Sequence, residues 1–114
     1  MIRIYRFVFL FLLLFISYAS VTPMEGGASV PYIDKLLHFS AFLILTFFMD
    51  ISTKKTLMFN KIGLIFLILY AFLIELVQYF LPYRSAEVFD FISDLLGVLA
   101  YLYFAPKINI RYTR

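Results

Sequence analysis

The sequence predicts an all-α membrane protein of four transmembrane helices, with both termini cytoplasmic and a polar pocket near the outer face. Three observations carry that expectation. The chain is 64% hydrophobic and 21% aromatic, with a mean hydropathy of +0.96. Its apolar residues gather in four segments split by short polar or Pro/Gly-punctuated connections. Its basic residues fall at alternate connections rather than evenly. A soluble domain of 114 residues could not cover so much apolar surface, because soluble chains average about 45–50% apolar residues. At roughly 20 residues per span, the chain has room for four helices and short loops as a single domain, 1–114. Neither an internal repeat nor a separating linker is present.

The first segment, Ile4 to Val21, is interrupted only by Arg6. It competes with a cleaved signal peptide, in which Arg3 and Arg6 form the basic region and Tyr18 to Ser20 the cleavage site. A retained helix is expected, because the apolar run is long for a signal core. "TPMEGGASVP" follows as a loop, by its Pro and Gly. The second segment is Ile33 to Met49, the third Ile62 to Leu81 ahead of Pro82, and the fourth Val88 to Phe104 ahead of Pro106. The second and fourth carry charge in their first turns, so they span only if those charges are shielded from lipid.

Orientation follows from the positive-inside rule. Arg3 and Arg6, then Lys54, Lys55 and Lys61, then Lys107, Arg111 and Arg114 all fall on one side of a four-span chain. That side is cytoplasmic, which gives a multi-pass membrane protein with both ends inside. Glu25, Asp34, Glu75, Glu87, Asp90 and Asp94 fall at or near the outer side, and Asp50 does not. At 1.5 Å per residue, His38, Glu75 and Asp94 lie roughly 7–9 Å below the outer boundary, on three different helices.

Spacing brings these groups onto shared faces. Asp34 and His38 are four apart, as are Asp90 and Asp94, and Gly97 continues the latter stripe as a small surface for close helix approach. Glu75 and Gln78 are three apart, with Ala71 one turn away. Charges at the centre of a span cost about 2.5–3.5 kcal/mol each, so these stripes are expected to share an interior. Arg84 and Glu87 stand above it in the loop "LPYRSAEVFD".

Several chemistries fit the layer. A structural network would pair Lys35 and Arg84 with the acids and fix helix register. An acid–base site would use His38 as base, with Glu75 and Asp90 as further catalytic candidates. A binding site would engage Asp34, Lys35, His38, Glu75, Gln78, Arg84, Asp90 and Asp94, with Arg84 holding a phosphate or carboxylate bidentately. Asp34, His38, Glu75, Asp90 and Asp94 also form an oxygen-rich set suited by ligand type to zinc or manganese. With no second histidine and no tight ligand motif, no metal or cofactor is expected.

Other chemistry is excluded or poorly supported. The absence of cysteine removes disulfides, thiolate nucleophiles and cysteine–zinc sites. The serines sit in no nucleophile-elbow motif, and Gly26-Gly27 opens no phosphate loop. Tyr5, Tyr18, Tyr32, Tyr79, Tyr83, Tyr101 and Tyr103, near span ends, suit the interfacial belts. The cytoplasmic basic residues suit anionic lipid; nucleic acid is not an expected partner.

"DKLLHFSAF" (Asp34 to Phe42) and "IELVQYFLPYRSAEVFDFISDLLG" (Ile74 to Gly97) together resemble the VanZ-like family of small bacterial membrane proteins. That family shows Asp-Lys-x-x-His opening one helix and Glu-x-x-Gln closing another. An Arg follows a Pro-containing turn, and Asp-x-x-x-Asn-x-x-Gly opens the next helix. The matching positions are Asp34, Lys35 and His38; Glu75 and Gln78; Pro82 and Arg84; and Asp90 and Gly97, over roughly residues 32–103. Asp94 stands where the family usually has Asn. The family is named for low-level resistance to teicoplanin, a lipid-tailed glycopeptide, so the resemblance implies a role in the cell envelope. The function expected is binding or shielding of a lipid-linked or anionic ligand at the outer leaflet. The alternatives are a membrane-embedded enzyme acting on such a ligand through His38 and carboxylates, and a small assembly or stability partner of a membrane complex. The sequence does not specify an oligomeric state.

Overall fold

A computed structural model describes residues 2–22, 33–52, 60–82 and 88–105. They form four α-helices: α1 (Ile2–Val21), α2 (Ile33–Ile51), α3 (Lys61–Tyr79) and α4 (Val88–Phe104). Among the described residues there is no strand. α1 and α3 are long and apolar enough to cross a membrane by length and composition. α2 and α4 do not pass that test. α2 carries Asp34, Lys35 and Asp50, and α4 has only 17 residues, with Asp90 and Asp94 among them.

The helix ends follow local chemistry. Asn60 caps α3: its side-chain oxygen accepts from the Gly63 N–H at 3.1 Å, satisfying one of the free donors of the first turn. At the other end the Phe80 and Leu81 N–H groups donate to Val77 O and Gln78 O. Those tighter i→i−3 bonds end α3 at Tyr79, earlier than the Leu81 expected from hydropathy. α2 runs past Met49 to Ile51, and the Ser52 N–H donates to Phe48 O. Asp50 therefore belongs to the helix.

The largest contact is between α2 and α4; α1 lies on α2, α3 on α4, and α1 on α3. The helices close a ring in the order α1, α2, α4, α3. Paired residues fix the directions. Lys35 meets Asp90 and His38 meets Asp94, so α2 and α4 run parallel and in register. Tyr70 reaches Leu13 and Ser17, and Gln78 reaches Ser20, so α1 and α3 are parallel too. Arg6 bonds to Ser52 O, which makes α1 antiparallel to α2.

One residue sets the α2–α4 separation. A Cβ at Gly97 would stand 2.5 Å from Phe39 O and 3.0 Å from Leu43 N. Only a glycine lets the α2 backbone come so close. Phe42, Leu45, Met49, Leu67, Ala71, Ile74 and Val98 fill the core, with Phe9, Leu12, Leu13 and Ile16 of α1 packed against it.

The outer surface is unlike that of a soluble bundle. Phe7, Phe11, Leu14, Phe66, Leu69, Phe72, Val88, Phe89 and Leu99 are all exposed, while Asp50, Gln78, Asp90 and Asp94 are buried. Tyr101 corrects the sequence reading. It is not in an interfacial belt but buried, and its hydroxyl donates to Asp50 Oδ2.

Candidate functional site

The site forms where three helices turn their polar stripes inward. On α4 the buried positions Asp90, Asp94, Gly97, Val98 and Tyr101 recur at helical spacing. On α3 the buried stripe is Gly63, Leu67, Ala71, Ile74 and Gln78, with Glu75 partly buried beside it. On α2 the partly buried Lys35 and His38 precede the buried Phe42, Leu45 and Thr46. The parallel register of α2 and α4 puts Lys35 beside Asp90 and His38 beside Asp94.

His38 is the centre of the arrangement. Its Nδ1 lies 2.7 Å from Asp94 Oδ1, within hydrogen-bonding distance, and its Nε2 lies 3.7 Å from Asp90 Oδ2. Lys35 Nζ is 3.4 Å from Asp90 Oδ1. The chain Lys35–Asp90–His38–Asp94 thus alternates basic and acidic groups across one helix interface. From α3, Glu75 adds an oxygen: ligand atoms of His38, Glu75 and Asp94 all lie within 4.8 Å of one another. Asp94 is fully buried. Among the described residues, its Oδ2 accepts no hydrogen bond, nor does the buried Oε1 of Gln78.

Gln78 faces a different neighbour. Its Nε2 donates to Ser20 O at 2.9 Å, tying the end of α3 to the end of α1. Asp34 lies in α2 with its side chain outside what is described, and Arg84 and Glu87 lie outside the described residues altogether. Of the residues singled out from sequence, Lys35, His38, Glu75, Asp90 and Asp94 are therefore brought together, and Gln78 sits on the α1 side of α3.

The fragments that carried the family resemblance are the ones that build this cluster, and the resemblance extends beyond them. The family model for VanZ/LLP1 matches residues 3–109. The chain belongs to the VanZ/LLP1 family. The matched range of this VanZ/LLP1 chain takes in nearly all of α1 as well as α2 to α4. No curated protein and no solved structure matches the chain.

Sequence reasoning missed a second polar group in this VanZ/LLP1 bundle, at the far end of α2. Arg6 Nε donates to Ser52 O at 3.0 Å, Ser52 Oγ donates to Met49 O, and Tyr101 binds Asp50. A signal for it was present. His38, Phe42, Thr46 and Asp50 form one i,i+4 row, and Tyr101 continues the row of Asp94 and Gly97. Asp50 is twelve positions along from His38, so the two groups stand roughly 18 Å apart along the helix axis. A third contact, within the α1–α3 interface, joins Ser17 Oγ to Tyr70 Oη at 2.7 Å, and Tyr70 in turn donates to Leu13 O.

Proposed function

We propose that this chain is a four-span protein of the bacterial cytoplasmic membrane, with both termini cytoplasmic. Around His38, at the outer leaflet, it receives the polar head of a lipid-linked, anionic envelope ligand. The observation that carries this reading is the inversion of the bundle. α2 and α4 turn Leu36, Leu37, Ile44, Ile92, Leu96 and Leu99 outward and keep Asp90 and Asp94 inside. In water each such half-exposed Leu or Ile forgoes roughly half of the ~1.5–3 kcal/mol that full burial contributes. Against hydrocarbon the same surface is at home, and it is the carboxylates that need an interior. With their charges turned inward, α2 and α4 become spans that hydropathy alone does not mark. Basic residues at alternate connections then set the cytoplasmic side.

Support for ligand binding comes from open acceptors. Asp94 Oδ2 and Gln78 Oε1 are buried without a hydrogen bond from the described residues, and such groups cost about 1–3 kcal/mol each until a donor arrives. A head group bearing hydroxyl or amide N–H donors supplies one. Lys35, whose side chain is 23% exposed, offers an ammonium to a phosphate at the rim. Arg84 would add a bidentate partner. Native mass spectrometry of gently extracted protein tests the reading. A phosphate-bearing lipid adduct that weakens in Lys35→Ala and Gln78→Leu is the expected result. A spectrum with only bulk phospholipid, equal in all three proteins, overturns it. A stoichiometric protein partner in the same spectrum would favour an assembly role instead.

A second reading, an enzyme acting on that ligand, is favoured by the position of His38 between two carboxylates. Asp94 on Nδ1 orients the ring, leaving Nε2 to exchange a proton with Asp90 or with a substrate. Loss of turnover with retained ligand in His38→Ala would support it; unchanged turnover would exclude it.

A further inference from the structure

We infer that His38, Glu75 and Asp94 form a binding site for one divalent transition cation of the zinc or manganese class. The inference concerns the same polar layer but rests on its geometry, not on the lipid-linked ligand. Each of α2, α3 and α4 delivers one donor, and the ligand atoms already lie within 4.8 Å of one another. In a tetrahedral site with bonds of about 2.0–2.2 Å, neighbouring ligand atoms stand roughly 3.3–3.6 Å apart. His38 Nδ1 and Asp94 Oδ1, at 2.7 Å, need to part by less than about an ångström to flank an ion. The Glu75 oxygen, within 4.8 Å of the other two ligand atoms, has to close by up to about 1.5 Å.

Two further facts point to a cation. Asp94 is fully buried, yet its Oδ2 accepts no hydrogen bond within this cluster. A carboxylate oxygen in that position is an electron-pair donor without an acceptor, and an ion held by both Asp94 oxygens supplies one. The charges also balance: a dication, two carboxylates and a neutral imidazole sum to zero. Two carboxylates this close in an apolar surrounding otherwise repel. One imidazole with two carboxylates suits zinc or manganese better than the soft, thiolate-preferring ions. Three protein ligands leave a fourth position for water or a ligand atom.

The test uses the full chain in nanodiscs of one synthetic phosphatidylcholine, so that no envelope ligand is present. After chelator treatment the protein is titrated with Zn²⁺ or Mn²⁺ alone. One ion per chain is expected. Asp94→Asn and Glu75→Gln should each weaken binding by about 10-fold or more, since even outer-shell partners of a metal are worth about 10–100-fold. Asp50→Asn, in the distant polar group, should leave binding unchanged. Should both site variants misfold, Co²⁺ added to the native chain decides the matter. Visible bands of a low-symmetry four-coordinate centre support the site; the spectrum of hydrated Co²⁺ overturns it. Absence of stoichiometric binding, or equal binding by native, Asp94→Asn and Glu75→Gln proteins, also overturns it. A bound lipid head with no metal would leave the proposed function standing and remove this inference.

Discussion

His38 Nδ1 lies 2.7 Å from Asp94 Oδ1, about one helical turn from the point where Gly97 brings the α2 and α4 backbones together. The close backbone approach and the polar contact hold the same interface. Gly97 sets how near the helices come, and that distance sets whether an imidazole on one can reach a carboxylate on the other. Asp94 is fully buried, so its partner cannot be replaced by bulk water.

His38→Ala should therefore destabilise the bundle by about 1–3 kcal/mol or more, the usual effect of leaving a buried polar group without its hydrogen-bond partner. Asp94→Asn should cost less, because the amide oxygen still accepts from Nδ1. Equilibrium unfolding in mixed micelles checks both. Equal losses for the two variants would show that charge, not the hydrogen bond, dominates the contact.

Gly97→Ala tests the interface from the backbone side. The added Cβ would stand 2.5 Å from the Phe39 carbonyl oxygen, and a backbone atom has no side-chain rotation by which to escape. The helices must separate, at about 1–3 kcal/mol, as is usual for overpacking. The separation should also lengthen the His38–Asp94 contact, so histidine ring resonances in NMR should move. An unshifted ring would uncouple the two features.

How far the sequence anticipated this arrangement depends on what each signal encodes. The four helices were readable because apolar runs ended at Pro and Gly, which act locally. His38, Asp90 and Asp94 were readable because i,i+4 spacing, with Asp34 as the partner of His38, places residues on a face without any knowledge of neighbours, and Lys35 was readable as a base beside the acids. The parallel direction of α2 and α4 and the common depth of His38 and Asp94 were readable too, from four alternating spans; that α2 and α4 make the largest contact was not, since it depends on how two distant segments dock at Gly97. Tyr101 was misread for a related reason: nearness to a span end suggested an interface, while its stripe with Asp94 and Gly97 pointed inward. A metal site among Asp34, His38, Glu75, Asp90 and Asp94 was discounted because the chain has no second histidine and no tight ligand motif; the grouping of His38, Glu75 and Asp94 comes from three helices meeting.

Tyr101→Phe should weaken the far end of the bundle by about 0.5–2 kcal/mol, the range of interhelical hydrogen bonds in membrane proteins. The hydroxyl it removes donates to Asp50, which is 3% exposed. In a double-mutant cycle with Asp50→Asn the two changes should couple. Additive effects would mean that the contact contributes nothing of its own.

Topology is checked by reporter fusions. A fusion after Arg114 and one within the connection between α2 and α3 should report the cytoplasm, and one beside Arg84 the outside. This follows from four spans and from basic residues at alternate connections. An external C-terminus would remove at least one span from the proposal, and α2 or α4 would be the candidate.

The last expectation concerns how the polar layer shares energy. Glu75 and Asp90 stand on different helices and both face His38. A Glu75 oxygen lies within 4.8 Å of the His38 ring nitrogen, and Asp90 Oδ2 lies 3.7 Å from Nε2. Removing either carboxylate lets His38 settle toward what remains, so the second removal acts on an altered partner. Glu75→Ala and Asp90→Ala should then be non-additive, with an interaction energy of about 0.5–3 kcal/mol. The control is Glu75→Ala with Asp50→Asn, whose sites lie roughly 18 Å apart along the bundle by helix rise. That pair should add to within about 0.3–0.5 kcal/mol, as distant independent sites do. Equal additivity in both cycles would mean that Glu75 and Asp90 make separate contacts, and the single polar layer would dissolve into independent pairs.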